Sequence, residues 1–150
     1  MSFDYGYFQN FKPNFGNLQL ANKHDEIVIL NNWISQISTD LDMSSRDTFR
    51  INLVLEEIVT NIIDNAYEDD AEHQIAISVS KEEGNFRILV KDDGLPFDPL
   101  QHPDKALPKS LADAQIGGLG IHLFRNYTDE CHYRREDNSN VLTLLFHSSE

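Results

Sequence analysis

The stretch Val54-Leu55-Glu56-Glu57-Ile58-Val59-Thr60-Asn61-Ile62-Ile63-Asp64-Asn65 decides how this chain is read. It lies in a segment, residues 46–67, whose apolar spacing predicts a helix. At about 100° per residue, Ile51, Leu55, Ile58, Val59, Ile62, Ile63 and Ala66 share one broad face that must pack on a core. Nearly opposite, Glu57, Asn61, Asp64 and Asn65 fall within an arc roughly 100° wide. An ordinary solvent face alternates Lys with Glu. This one holds two amides and two acids with no base nearby, and Leu53 and Val54 lie one turn before it. A polar strip bordered by apolar residues reads as the wall of a partly buried pocket.

Working outward, residues 25–40 repeat Ile27, Leu30, Ile34 and Ile37 at helical spacing, with Leu41 next and Trp33 joining the stripe. Residues 42–45 connect the two helices, and Ser44 or Ser45 suits the N-cap of the second. Leu18 to Ala21 reads as a short strand. Residues 74–80 and 86–91 alternate in polarity across the turn Glu82-Glu83-Gly84-Asn85, a hairpin pattern. Residues 130–135 and 141–146 form a second hairpin across residues 136–140. Between the hairpins, residues 98–115 hold Pro99, Pro103 and Pro108 and read as a long loop. Loops of that length inside a compact domain are usually functional. Gly117-Gly118-Leu119-Gly120 then opens a helix expected to run to about Tyr127.

The 150 residues suit one domain. Domain organisation is read as an aromatic extension, residues 1–14, followed by a single domain over 15–150. Six of the fifteen aromatics stand in the first fifteen positions. They suit either packing on the domain's own surface or contact with a second copy or partner. With 12 basic and 25 acidic residues, the net charge is −13. That argues against nucleic acid, which needs clustered Lys and Arg, and against anionic membrane surfaces. A phosphate ligand remains compatible, because backbone N–H groups and a bound cation can meet it. Cys131 is the lone cysteine, so neither a disulfide framework nor a zinc cluster is expected. The six histidines show no metal or phosphoacceptor spacing. A cytoplasmic setting is the default.

Three constellations carry chemistry. Spacings of four place Glu57, Asn61 and Asn65 on adjacent turns. An amide oxygen beside carboxylates suits Mg²⁺, which takes few protein ligands, and a free carboxylate can accept a proton from a hydroxyl or a water. Asp92-Asp93-Gly94-Leu95-Pro96-Phe97-Asp98 follows a strand directly. There a carboxylate at the strand end can accept from an amino group, and Gly94 lets the backbone turn or lets a ligand approach closely. Ile116-Gly117-Gly118-Leu119-Gly120-Ile121-His122-Leu123 offers N–H groups to an anion at a helix start. It fits neither the dinucleotide fingerprint nor the P-loop. Taken singly, each stretch also suits a bland role: a solvated helix face, a polar turn, or a loop-to-helix turn. Their conjunction and order point to one chemistry.

That ordered set resembles the GHKL ATPase superfamily, which includes histidine-kinase catalytic domains, gyrase-type ATPases and heat-shock chaperones. Within it, the chain looks most like the anti-sigma regulatory factors with serine-protein kinase activity. The tail Tyr133-Arg134-Arg135-Glu136 and Asn140-Val141-Leu142-Thr143-Leu144 is similar to that branch too. The resemblance implies an α/β two-layer sandwich, a mixed, mainly antiparallel sheet with helices on one face. It implies ATP and Mg²⁺ as cofactors, with Glu57 as the catalytic carboxylate and Asn61 holding the metal. Asn65 is a pocket residue by the same matching, and Asp64 is counted among the pocket's acids. Asp92 would accept from the adenine amino group beside Gly94. Gly117, Gly118 and Gly120 would cradle the phosphates under a lid that has Lys105 and Lys109 but no arginine, and Thr143 would touch the adenine side through water. The expected partners are an anti-sigma-factor antagonist as phosphoacceptor and a sigma factor, with a homodimer among the expected arrangements. Two other functions fit the same motifs: a module that holds nucleotide and sequesters a partner without turnover, and an ATPase module of a signalling assembly.

Overall fold

The computed structural model describes residues 14–98 and 126–149. The element order is β1 (Phe15–Ala21), α1 (Ile27–Asp40), α2 (Ser45–Asn65), β2 (Gln74–Glu82), β3 (Asn85–Asp92), β4 (Glu130–Glu136) and β5 (Ser139–Phe146), with a single 3-10 turn at His24–Glu26 before α1. The five strands form one sheet in the order β1-β2-β3-β5-β4. Every pairing in it is antiparallel, so the expected mixed, mainly antiparallel sheet is antiparallel throughout the described strands. The expected loop over 98–115, its lid lysines and Gly117, Gly118 and Gly120 lie outside the described residues beyond Asp98. So does nearly all of the aromatic extension. Asn126 and Tyr127 are helical, in keeping with the expected end of the glycine-led helix.

Strand alternation sends one side chain in two to each face. Ile75, Ile77 and Val79 of β2, Phe86, Ile88 and Val90 of β3, and Leu142, Leu144 and Phe146 of β5 make one buried layer. Leu30, Ile34 and Ile37 of α1, at helical spacing, pack onto it together with Leu41. From α2 come Ile51, Val54, Leu55 and Val59. Val54 is fully buried. It therefore joins the core three residues after Ile51 and, three residues before Glu57, borders the polar strip with a buried apolar side chain as the spacing suggests. Ile58, Ile62 and Ile63 are half-buried at the core's margin.

Specific side chains satisfy the end of α1 and the start of α2. Ser44 is the N-cap of α2, and its hydroxyl accepts the Asp47 N–H at 3.0 Å. At the end of α1, Lys81 Nζ donates to the Leu41 carbonyl at 2.9 Å, which satisfies a helix-end acceptor with a cation. The start of α2 is tied to the chain's other end. Fully buried Asp47 accepts from the Ser149 N–H at 3.1 Å. Arg50 donates to the His147 carbonyl at 2.9 Å and lies over the Phe146 ring. Burial pushes the Asp47 carboxyl up, but hydrogen bonds from Ser149 and Ser44 and the Arg50 charge outweigh it and hold the group below its usual range. These ties fix α2 across the sheet, so its polar strip has a set position.

The two hairpins turn tightly. Glu83 and Gly84 both have positive φ (52° and 83°), as do Asp137 and Asn138 (50° and 64°). Two consecutive residues of that kind match the twist of a two-residue hairpin. The second turn is thus shorter than the five residues expected, and it leaves Ser139 and Asn140 inside β5.

Candidate functional site

The last residues of α2, the end of β3 and the start of β5 meet at one corner of the sandwich. Asp92 ends β3 and pairs in register with Asn140. Both are buried. After Asp92 the chain turns, and the Leu95 N–H donates to the Ala66 carbonyl at 2.8 Å. A Cβ on Gly94 would lie 2.5 Å from the Ala66 Cβ and 2.7 Å from the Ala66 carbonyl oxygen. Gly94 is therefore required by the packing of this turn against the C-terminus of α2. Of the two roles that the sequence allows Gly94, a backbone turn and a close ligand approach, the structure shows the first, and the geometry leaves the second untested.

The Asp92 carboxylate is held on one oxygen. Its Oδ1 accepts from the Gly94 N–H at 2.9 Å and from Asn140 Nδ2 at 3.0 Å. Burial pushes its pKa above the usual carboxylate range, against the pull of those two hydrogen bonds. Asn140 also donates to the Leu95 carbonyl at 2.8 Å, and its own oxygen accepts from the Tyr133 hydroxyl at 2.5 Å. Arg135 Nη1 donates to the Gly94 carbonyl at 2.7 Å. Asn140, Tyr133 and Arg135 were not picked out as site residues from sequence. The signal available was the pairing of two hairpin strands that brings Asn140 opposite Asp92.

Thr143 is placed elsewhere. It pairs with Leu89 and His132. Three residues from Asn140, it projects from the sheet face opposite to the one that carries Asp92, Asn140 and the helices. The structure does not bring it together with them. The residue of β5 that meets Asp92 is Asn140, whereas Thr143 was expected to touch the adenine side through water.

Along α2, Glu57 and Asn61 are half-buried, while Asp64 and Asn65 are exposed. Glu57 Oε2 is buried and has no hydrogen-bond partner among the described residues. Burial, and then the neighbouring Glu56 charge, push the Glu57 carboxyl above its usual range. The Asn65 amide donates back to the Asn61 carbonyl at 3.1 Å. Asp64 pairs with His24 at 2.8 Å, on the side of the helix that faces the start of α1. Asp64, counted among the pocket's acids from sequence, is thus engaged in a surface pair. The residues that fit a cofactor on this helix are Glu57 and Asn61. Among the described residues no cluster of three His, Cys, Asp or Glu could hold a metal. An amide oxygen one turn from a carboxylate instead fits Mg²⁺ that keeps waters and takes its remaining ligands from phosphate.

A second group flanks the corner. His73 stacks on Tyr67 with ring centroids 4.1 Å apart. Its Nε2 lies 2.7 Å from Asp69, and its Nδ1 3.2 Å from Asp93. The bond to Asp69 raises the His73 pKa against some burial, with Asp93 adding to the rise. Burial and the charges of Asp92 and Asp93 push the Tyr67 phenol up, so it stays neutral. Burial also pushes the Cys131 thiol up, to about 12, which leaves it protonated and unreactive.

Comparison with known proteins gives a consistent result. The family described as histidine kinase-like ATPase domain matches residues 20–146. The chain is 31% identical over 117 residues to the serine/threonine-protein kinase BtrW of Bordetella bronchiseptica, covering 78% of this chain and 82% of that one. It is 28% identical over 98 residues to an anti-sigma F factor of Priestia megaterium, covering 65% and 67%. Among solved structures, one of RsbU and RsbW domains from Mycobacterium tuberculosis superposes with a TM-score of 0.64 at 14% identity, covering 90% of this chain and 33% of that one. A histidine kinase domain from Erythrobacter litoralis superposes with a TM-score of 0.53 at 18% identity, covering 82% and 59%. The two structural likenesses support the fold. No helix among the described residues is long and apolar enough to cross a membrane.

Proposed function

We propose that this chain, which belongs to the family of histidine kinase-like ATPase domains, is an anti-sigma regulatory factor that transfers phosphate from ATP to a serine or threonine of a protein antagonist. Its relatives are a serine/threonine-protein kinase and anti-sigma F factors. Residues 15–150 act as one such domain. The observation that carries the reading is Glu57, half-buried on α2, with a buried carboxylate oxygen that has no partner among the described residues, one turn before the Asn61 amide.

Asp92 takes the adenine end. With Oδ1 engaged by Gly94 and Asn140, Oδ2 is left to accept from the exocyclic amino group. From Ala66, where the Asp92 turn is stapled, to Glu57 is nine residues of α2, about 14 Å at 1.5 Å per residue. That distance separates the base end from the reacting end on one rigid helix. Asn61 would hold Mg²⁺, which would supply charge neutralisation at the phosphates. Glu57 accepts the proton of the attacking hydroxyl. The new bond forms between the serine or threonine oxygen and the γ-phosphorus, and ADP departs with the pair of electrons from the broken P–O bond. Such transfer depends on positioning and electrostatics more than on covalent work by the protein. A Glu57 pKa above the ordinary range brings the base closer to working pH.

The test is incubation with γ-labelled ATP, Mg²⁺ and an anti-sigma-factor antagonist protein from the same organism. Label on an antagonist serine or threonine is the expected result. Bound nucleotide without transfer would leave only a sequestering module.

A further inference from the structure

The Asn140 side chain makes hydrogen bonds that allow it only one orientation. Its oxygen accepts from the Tyr133 hydroxyl at 2.5 Å and from the Phe97 N–H at 3.3 Å. Its nitrogen donates to Asp92 Oδ1 at 3.0 Å and to the Leu95 carbonyl at 2.8 Å. Turning the amide over would set its oxygen against a carboxylate and a carbonyl, and its N–H₂ against the Phe97 N–H. Three of the four contacts would lose their donor–acceptor match, since only the Tyr133 hydroxyl could accept in place of donating. The consequence falls on Asp92. A carboxylate free to rotate presents either oxygen to a ligand. This one, bound on Oδ1 by Asn140 and Gly94, presents only Oδ2.

We propose that Asn140, oriented by Tyr133, is the positioning residue that fixes Asp92 as a hydrogen-bond acceptor and so sets the site's preference for a base with an exocyclic amino group over one with a carbonyl at the same position. The inference rests on Asp92 meeting the base. It extends that reading to the β4–β5 hairpin, whose Arg135 holds the other side of the same turn through the Gly94 carbonyl. The supporting electrostatics run the same way. Burial favours the protonated form of Asp92, and the Asn140 donor opposes it. Once protonated, Asp92 becomes a donor and suits a carbonyl. The charged or titratable groups around it are Asp93 on the same turn, Arg135 from β4, and Tyr67 after α2, with His73 paired to Asp93.

The test compares dissociation constants for ATP and inosine triphosphate, which carries a carbonyl in place of the amino group. It is run from pH 5 to pH 8 on the full chain. A melting curve for each variant establishes that it is folded. Asn140→Ala is expected to lower the preference for ATP about tenfold and Tyr133→Phe about threefold, as the loss of one charge-assisted or one neutral hydrogen bond predicts. In Asn140→Ala the preference is also expected to fall away at a higher pH than in the native chain, because Asp92 protonates sooner. A merely structural role would change the melting curve and leave the ratio and its pH profile in place, and that result overturns the inference. If Asn140→Ala does not fold, Tyr133→Phe decides alone. Asp92→Ala separates the two levels. If it leaves ATP affinity unchanged, the base-site reading itself fails. If it weakens ATP while both hairpin variants keep the native ratio, only the positioning role fails.

Discussion

The two ends of the site are built differently. At the Asp92 end, a hydrogen-bonded network surrounds the carboxylate: Asn140 makes four hydrogen bonds, Gly94 two, and Arg135 closes the turn. At the Glu57 end, a buried carboxylate oxygen has no partner among the described residues, and burial raises its pKa. A satisfied polar network is rigid and selective, while an unsatisfied buried acid costs stability and is reactive. Under the proposed function, recognition falls to the sheet's corner and chemistry to the helix.

The largest expected effect separates the two. Glu57→Gln should lower phosphotransfer by roughly 10²–10⁴-fold, the usual range for losing a general base, while ATP affinity stays within about threefold of native. A single-turnover assay with saturating ATP reads the first and calorimetry the second. In the native chain, the acid limb of the rate profile should lie above the ordinary glutamate range. The rate rises with pH there because the base must be deprotonated.

Asp92→Ala comes next and should show the opposite pattern. Loss of a charge-assisted hydrogen bond worth about 1.5–3 kcal/mol weakens ATP binding ten- to a hundredfold, at about 1.4 kcal/mol per tenfold. Phosphotransfer at saturating ATP should change much less.

Gly94→Ala tests the joint between the ends. The new methyl would meet the Ala66 backbone, which cannot swing aside as a side chain can. Overpacking of this kind costs about 1–3 kcal/mol, so the melting temperature should drop by several degrees, and ATP affinity should fall with it. An unchanged melting temperature would mean that the turn is not stapled to α2.

The smallest expected effect lies at the flank. Because the folded pKa of His73 is raised, its contribution to stability is complete below about pH 6.5. It is lost as the pH rises through the raised value. His73→Gln should flatten the stability profile in that window and leave phosphotransfer unaltered. A persistent slope would assign the pH dependence to another group.

Much of the fold is legible because periodicity and local chemistry agree. The helical stripe of Leu30, Ile34 and Ile37, the alternation in β2 and β3, and the Ser44 cap each follow from a few neighbouring residues. Glu57, Asn61 and Asp92 stand out because an acid or amide beside an apolar stripe breaks the pattern. The misreadings occur where distant pairing decides. Asn140, read as part of a five-residue turn, meets Asp92 because the hairpin turn takes only Asp137 and Asn138 and so leaves Asn140 within the strand. Asp64 leaves the pocket because His24, forty residues earlier, folds beside it.

The division of labour is tested most directly by measuring Glu57→Gln and Asp92→Ala side by side, with ATP affinity and single-turnover transfer to the antagonist taken on the same preparations. The predicted result is a crossed pattern: Glu57→Gln binds ATP and does not transfer, whereas Asp92→Ala binds weakly and transfers once saturated. If both variants lose affinity and transfer in equal proportion, the two ends are one undivided site, and the account given for them is contradicted.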